Sequence, residues 1–267
     1  MSAILFELLL KIVLTAGIVV VASIVVERSG PFMGSLIASL PTAGGAALII
    51  LAMEHPPAFI ADSAVGSMVS NSMVAVFALT YAALAQRRSL VVSVGGAFLV
   101  WFAAAAASRL VEWDATAALA LNAVVFPLTI LAGRRFRVTG VIKRVTLTAG
   151  DVAWRTGVVT LSVIIVTAAS GTIGPYFSGL FAFFPVAMGS FFVILHPRIG
   201  GAATASVAAH VQLPLIGLCL SLYVVHLLAE PVGVWWSYII GLSVGISWNL
   251  LLWLARRFRT AALLPKP

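Results

Sequence analysis

Ionisable, hydroxyl and amide side chains set inside long apolar stretches are the residues of this sequence that could do chemistry. Asp62 and His210 each sit in such a stretch and are candidates to carry a proton. Ser63, Ser67, Ser70 and Asn71 follow one another at helical spacing and so share a face, as do Ser206 and His210, with Thr204 and Gln212 nearby. Such a face could line a cavity that binds a small solute, or its hydroxyls could bond to their own helix. Glu7 and Lys11 are four apart and can pair on one helix face, and the same acid–base spacing returns at Asp151 and Arg155. Pro41 and Pro185 each fall about ten residues into an apolar segment, with Gly44 and Gly45 after the first and Gly189 after the second. Proline lacks an amide donor and its ring collides with the preceding turn, so each helix breaks or kinks there. A break exposes a fresh helical N-terminus, whose dipole favours an anionic or carbonyl group. His55, His196, His210 and His226 show no metal-ligand spacing, and no nucleophile elbow, P-loop, zinc or dinucleotide motif occurs. No enzyme activity, cofactor or metal is expected.

The elements that hold these residues follow from composition. Of 267 residues, 62% are hydrophobic and 9% charged, whereas a soluble domain carries about 25% charged residues. A surface so poor in charge belongs in lipid, which argues against a soluble enzyme, a nucleic-acid module and a disordered chain. The single cysteine, Cys219, excludes an intrachain disulfide. Measured against the roughly 20 apolar residues that a helical crossing needs, the chain offers nine segments, at about 3–26, 31–53, 59–86, 89–108, 115–133, 155–171, 175–196, 200–229 and 231–255. The stretch Val138–Ala153 reads as a polar linker or interfacial helix. Glu7 and Lys11 interrupt the first apolar run, which does not read as a signal peptide.

Charge orients the segments. Arg28, Arg87, Arg88, Arg134, Arg135, Arg137, Lys143, Arg144 and Arg198 fall in odd-numbered loops, and Arg256, Arg257, Arg259 and Lys266 in the tail. Glu54, Glu112, Asp114 and Glu230 fall in the even ones, with Arg109 the basic exception. Cytoplasmic loops concentrate Lys and Arg, so the N-terminus is expected outside and the C-terminus in the cytoplasm. The net charge of +8 then records topology and calls for no nucleic-acid partner.

An internal repeat stands behind these segments. Gly30-Pro31 through Leu40-Pro41 aligns with Gly174-Pro175 through Phe184-Pro185 at an offset of 144 residues, which also pairs Gly45 with Gly189, Lys11 with Arg155 and Glu7 with Asp151. After a two-residue slip Tyr81 aligns with Tyr223. Five segments precede the second copy, so the copies cross in opposite senses. The expected organisation is a first membrane repeat over 1–110, a connector helix and linker over 111–150, a second repeat over 151–256 and a tail over 257–267. The fold class is an all-α polytopic membrane protein of about nine transmembrane helices in two inverted-topology repeats, broken or kinked at Pro41 and Pro185.

The basic residue opening the first span, the Gly174-Pro175-Tyr176-Phe177-Ser178-Gly179-Leu180 turn and the mid-helix Phe183-Phe184-Pro185 resemble the GlpM-type small inner-membrane proteins, most closely from Arg155 to about Trp253. That resemblance implies a fused pair of such units in a bacterial inner (plasma) membrane and supplies no catalytic residues. Inverted repeats are common in secondary transporters. The expectation is alternating-access transport of a small polar or anionic solute. Pro41, Gly44, Gly45, Ser63, Ser67, Ser70, Asn71, Pro185, Gly189, Ser206 and Gln212 form the binding region, with Asp62 and His210 for proton coupling. A flippase or channel for a lipid-linked or amphipathic species, and a non-transporting membrane subunit of a larger complex, are the alternatives. The partners are the bilayer and the solute, and a homodimer is compatible with the sequence.

Overall fold

The computed structural model describes residues 9, 11–21, 42–137 and 146–263. Glu7, Pro41 and the Gly30-Pro31 motif lie outside the described residues. Among those described, every regular element is helical: α1 (Lys11–Val21), α2 (Thr42–Glu54), α3 (Pro57–Leu84), α4 (Leu90–Ala107), α5 (Ala115–Gly133), α6 (Ala149–Ala182), α7 (Val186–Ile199), α8 (Gly201–His210), α9 (Gln212–Leu228) and α10 (Val234–Leu263). Six stretches are long and apolar enough to cross a membrane: Pro57–Leu84, Leu90–Leu110, Ala115–Phe136, Ala149–Ile199, Gly201–Leu228 and Val234–Ala255. The chain is a membrane-embedded protein, all-helical among the described residues, and the nine segments expected from sequence do not map one to one onto its helices.

Local chemistry sets the helix ends. Pro57 occupies the first helical position of α3, where its missing N–H costs nothing. Ser89 and Asp114 cap α4 and α5 through bonds from the amides of Val92 and Ala117. Thr148 and Asp151 form a reciprocal capping box that starts α6 at Ala149. The second half therefore becomes helical earlier than the expected start at 155, inside the stretch read as linker.

Helix α3 is the central post. Most of it is buried, and it packs against α4, α5, α6, α8 and α9. The outer helices turn apolar side chains outward: Val91, Leu99 and Phe102 on α4, Val124, Leu128 and Leu131 on α5, and Trp235, Trp236, Leu242 and Ile246 on α10. Polar groups inside and apolar groups outside is the arrangement that lipid selects.

The stretch from Ala149 to Ile199 folds back on itself. Arg198, in the last turn of α7, bonds the Asp151 carboxylate at 2.6 Å, in the first turn of α6. Helix rises 1.5 Å per residue, so a chain reversing only at the α6–α7 junction would leave these two groups roughly 27 Å apart. The reversal is instead at Gly174, whose φ of 77° and ψ of 174° suit glycine alone. Residues 149–173 form an outgoing arm and 175–199 a return arm of equal length. The return arm is itself interrupted: α6 ends at Ala182, and α7 begins at Val186 with Pro185 as its N-cap.

Helix boundaries recur at the same interval that the sequence repeat has. Pro57 and Gly201, Leu84 and Leu228, and Leu90 and Val234 are all helix ends separated by 144 residues. The two-residue slip placed before Tyr81 and Tyr223 is not needed to match them. Helix α3 also lies antiparallel to α9, because hydrogen bonds join Ala61 to His226, Asn71 to Leu215 and Ala75 to Gln212. One difference separates these counterparts. Pro214 has no N–H to give the His210 carbonyl and its ring crowds that oxygen, which interrupts the second helix at Val211. Ser70 holds the corresponding place in α3, which runs unbroken.

Candidate solute site at the centre of the bundle

Two side-chain bonds fix the depth of the features that matter. Ser67 meets the Gly179 carbonyl at 3.1 Å in the first half of α3, and Tyr81 meets His196 Nδ1 at 2.8 Å near its end. Helix α3 thus runs alongside the return arm in the same direction, and the break at Phe183–Pro185 stands about one turn beyond Ser67, near Ser70 and Asn71 of α3. That is the middle of the post. The Val211 interruption lies about one turn away, since Gln212 reaches the Ala75 carbonyl.

Four of the expected residues meet at this level as a buried seam. Ser63, Ser67, Ser70 and Asn71 are at most 1% exposed. Ser67 Oγ donates to the Ser63 carbonyl at 2.8 Å and faces the Gly179 carbonyl at 3.1 Å. Asn71 Nδ2 donates to the Leu215 carbonyl at 2.9 Å, across the antiparallel crossing. Gln212, also buried, sends its Nε2 to the Ala75 carbonyl at 2.9 Å. A carbonyl accepts only a donor, so both amides are held with their oxygens turned away. Asn71 Oδ1, Gln212 Oε1 and the hydroxyls of Ser63 and Ser70 have no hydrogen-bond partner among the described residues. Buried polar atoms of this kind are costly in an apolar interior and recur at functional sites.

The remaining expected residues divide. Gly44 lies in α2, and Pro185 is the N-cap of α7. The Cβ position of Gly44 falls 2.6 Å from the Phe183 ring, which brings α2 against the break before α7. Gly45, next to it, is half-buried. Gly189 packs under Phe98. Ser206 is buried, and half-buried His210 donates from Nδ1 to its carbonyl at 2.7 Å, at the end of α8. Thr204 spends its hydroxyl on the Gly200 carbonyl. Asp62 is exposed near the start of α3 and does not join the seam. Lys11 meets Glu54 at 2.6 Å, whereas its expected partner Glu7 lies outside the described residues.

Other members of the arrangement were not singled out from sequence. Asn122 of α5 donates to the Met68 and Ala118 carbonyls at 2.9 and 2.7 Å and offers its oxygen to Asn71. A lone amide in the apolar run 115–133 was the signal that could have found it. Arg155 is 2% exposed, its guanidinium 3.4 Å from the Phe191 ring and its Nε 3.4 Å from Ser190 Oγ, one turn into α7. A buried cation beside a helix start gives this region a positive bias that suits an anion or a strong dipole. Among the described residues no group of His, Cys, Asp and Glu could hold a metal ion. Comparison with family models, with curated proteins and with solved structures finds no match.

Proposed function

We propose that the chain is a membrane transporter of two inverted-topology units that moves a small polar or anionic solute by alternating access. One observation carries this reading: the Asn71–Leu215 bond joins residues 144 apart at the middle of an antiparallel helix crossing. Residues separated by the repeat interval touch only where a two-fold axis passes between them. Here that axis runs across the helices, hence in the plane of the bilayer. The solute site is the seam around that axis, made by Ser67, Ser70, Asn71 and Gln212, with the start of α7 near its level. His210, at the end of the interrupted α8, is the proton-coupling group. Asp62, exposed outside the seam, has no part in it. The distribution of arginines supports an N-terminus outside and a C-terminus in the cytoplasm, and the GlpM-type resemblance fits a two-unit chain in a bacterial inner membrane.

Proteoliposomes loaded with a pH-sensitive dye and challenged with small carboxylates and phosphates test this. A solute that drives proton movement in the wild type is expected to lose about tenfold in rate with Asn71→Ala or Gln212→Ala, the worth of one buried hydrogen bond. His210→Gln is expected to abolish the proton signal while leaving solute exchange. Full activity in all three variants would move the site elsewhere, and solute flux without proton movement would make the protein an uncoupled carrier or channel. Topology has its own check. In a Cys219→Ala background, Gln86→Cys and Glu230→Cys, 144 apart and both exposed, are expected to label from opposite sides of the membrane. Labelling from one side would defeat the inverted repeat.

A further inference from the structure

At the end of the bundle where α3 and α5 both finish, Ala83, Gln86, Arg87, Arg135 and Phe136 line an open groove of about 580 Å³. Arg87, Arg88, Arg134 and Arg135 are all exposed there, none forms an ion pair among the described residues, and no carboxylate lines the groove. Arg135 lies over the Phe136 ring at 4.7 Å, which holds its guanidinium at the groove wall. Behind it Arg137 donates to the Ala209 carbonyl at 3.4 Å, and burial, then the neighbouring Arg134, lower its pKa. The two guanidiniums that line the hollow, with Arg88 and Arg134 next to them in the chain, repel one another unless an anion enters.

What approaches the groove from the membrane is set by α5. Val124, Leu128 and Leu131 are 60%, 61% and 62% exposed, and with Arg135 they occupy one stripe of the helix, since steps of four, three and four residues return to nearly the same direction. An apolar track therefore leads along the lipid-facing side of α5 straight to a guanidinium. Acyl chains fit the track and a phosphate fits its end; a soluble anion would use only the second.

We infer that this groove binds an anionic phospholipid, its phosphodiester held between Arg87 and Arg135 and its chains lying along Val124, Leu128 and Leu131. Basic pockets between membrane helices recognise such headgroups by charge, with each nearby arginine contributing appreciably. The site stands at a bundle end, apart from the central seam, and does not depend on the transport reading.

Native mass spectrometry of the full chain, released from nanodiscs holding equal phosphatidylglycerol and phosphatidylcholine, tests the assignment. The wild type is expected to retain phosphatidylglycerol preferentially, and Arg87→Ala/Arg135→Ala to retain on the order of tenfold less. Ala83→Trp, which fills the groove and keeps every charge, is expected to reduce retention as well. Arg109→Ala, which removes a cation at the opposite end of α4, is expected to leave it unchanged. Melting temperatures equal to that of the wild type would attribute the losses to the groove. Undiminished retention in the double variant, equal loss in Arg109→Ala, or displacement of the lipid by soluble glycerol phosphate at matched concentration would each overturn the assignment.

Discussion

Alanine at Gly179 is expected to leave little folded protein, and alanine at Gly66 to do nearly the same. A Cβ on Gly179 would land on the Ser63 carbonyl oxygen, and one on Gly66 on the Tyr176 carbonyl oxygen. Both obstacles are backbone, so no rotamer change relieves them and the return arm must withdraw from α3. Withdrawal stretches the Ser67–Gly179 contact, now 3.1 Å, and loosens the packing of the central post. Overpacking against a movable side chain costs about 1–3 kcal/mol; against two rigid helices we expect about 3–5 kcal/mol, at the extreme of single substitutions. Gly157 and Gly171, whose Cβ positions meet nothing within 4 Å, supply the control, since alanine there favours the helix slightly. Thermal unfolding in detergent should separate the two classes widely. Equal melting temperatures for Gly179→Ala and Gly171→Ala would mean that the two helices do not approach as described.

The second large effect is expected at Lys11. Its ammonium lies 2.6 Å from the Glu54 carboxylate, with the side chains 11% and 25% exposed. Glu54 ends α2, where the helix dipole opposes a negative charge, so the carboxylate depends on its cation. Removing one partner of a buried pair costs about 3–5 kcal/mol and of an exposed one under about 1 kcal/mol. For this partly covered pair, Lys11→Met should cost about 2 kcal/mol and Lys11→Glu, which sets two carboxylates together, rather more. Lys11→Glu/Glu54→Lys should recover most of the loss, because the pair is remade and α2 gains a favourable terminal charge. A double variant no more stable than Lys11→Glu would show that the pair does not form. Asp151 and Arg198, which lie 144 residues after positions 7 and 54, form a pair with acid and base exchanged, and each charge suits the helix end it occupies.

Much of this was legible in the sequence because lipid permits few solutions. Helix limits in the second half followed from Gly174, Pro185 and apolar runs, since glycine and proline act on the backbone locally. The seam was legible too, as Ser63, Ser67, Ser70 and Asn71 fall at a spacing that only a helix converts into a face. Asp62 misled by adjacency: one residue along a helix is a 100° turn, which carries it out of the seam to the surface. The early start of α6 was hidden because Thr148 and Asp151 look like linker residues unless paired with one another. Contacts distant along the chain were out of reach. Nothing local shows that Lys11 finds Glu54, or that Gly66 and Gly179 mark where two backbones touch, although small residues at 63, 66, 67 and 70 spell a close-packing surface.

Pro214 stands opposite Ser70, and that single inequality reaches past helix geometry. Two interchangeable halves would make the two orientations of a carrier degenerate, so that it rested facing either compartment with equal population. A joint in one half against a stiff strut in the other lifts the degeneracy. Under the transport proposed above, bending is expected to concentrate in α8 and α9, with α3 as the fixed reference. The proposed carrier would then have a preferred resting direction, with two reorientation steps of unequal rate constant even when no gradient is applied.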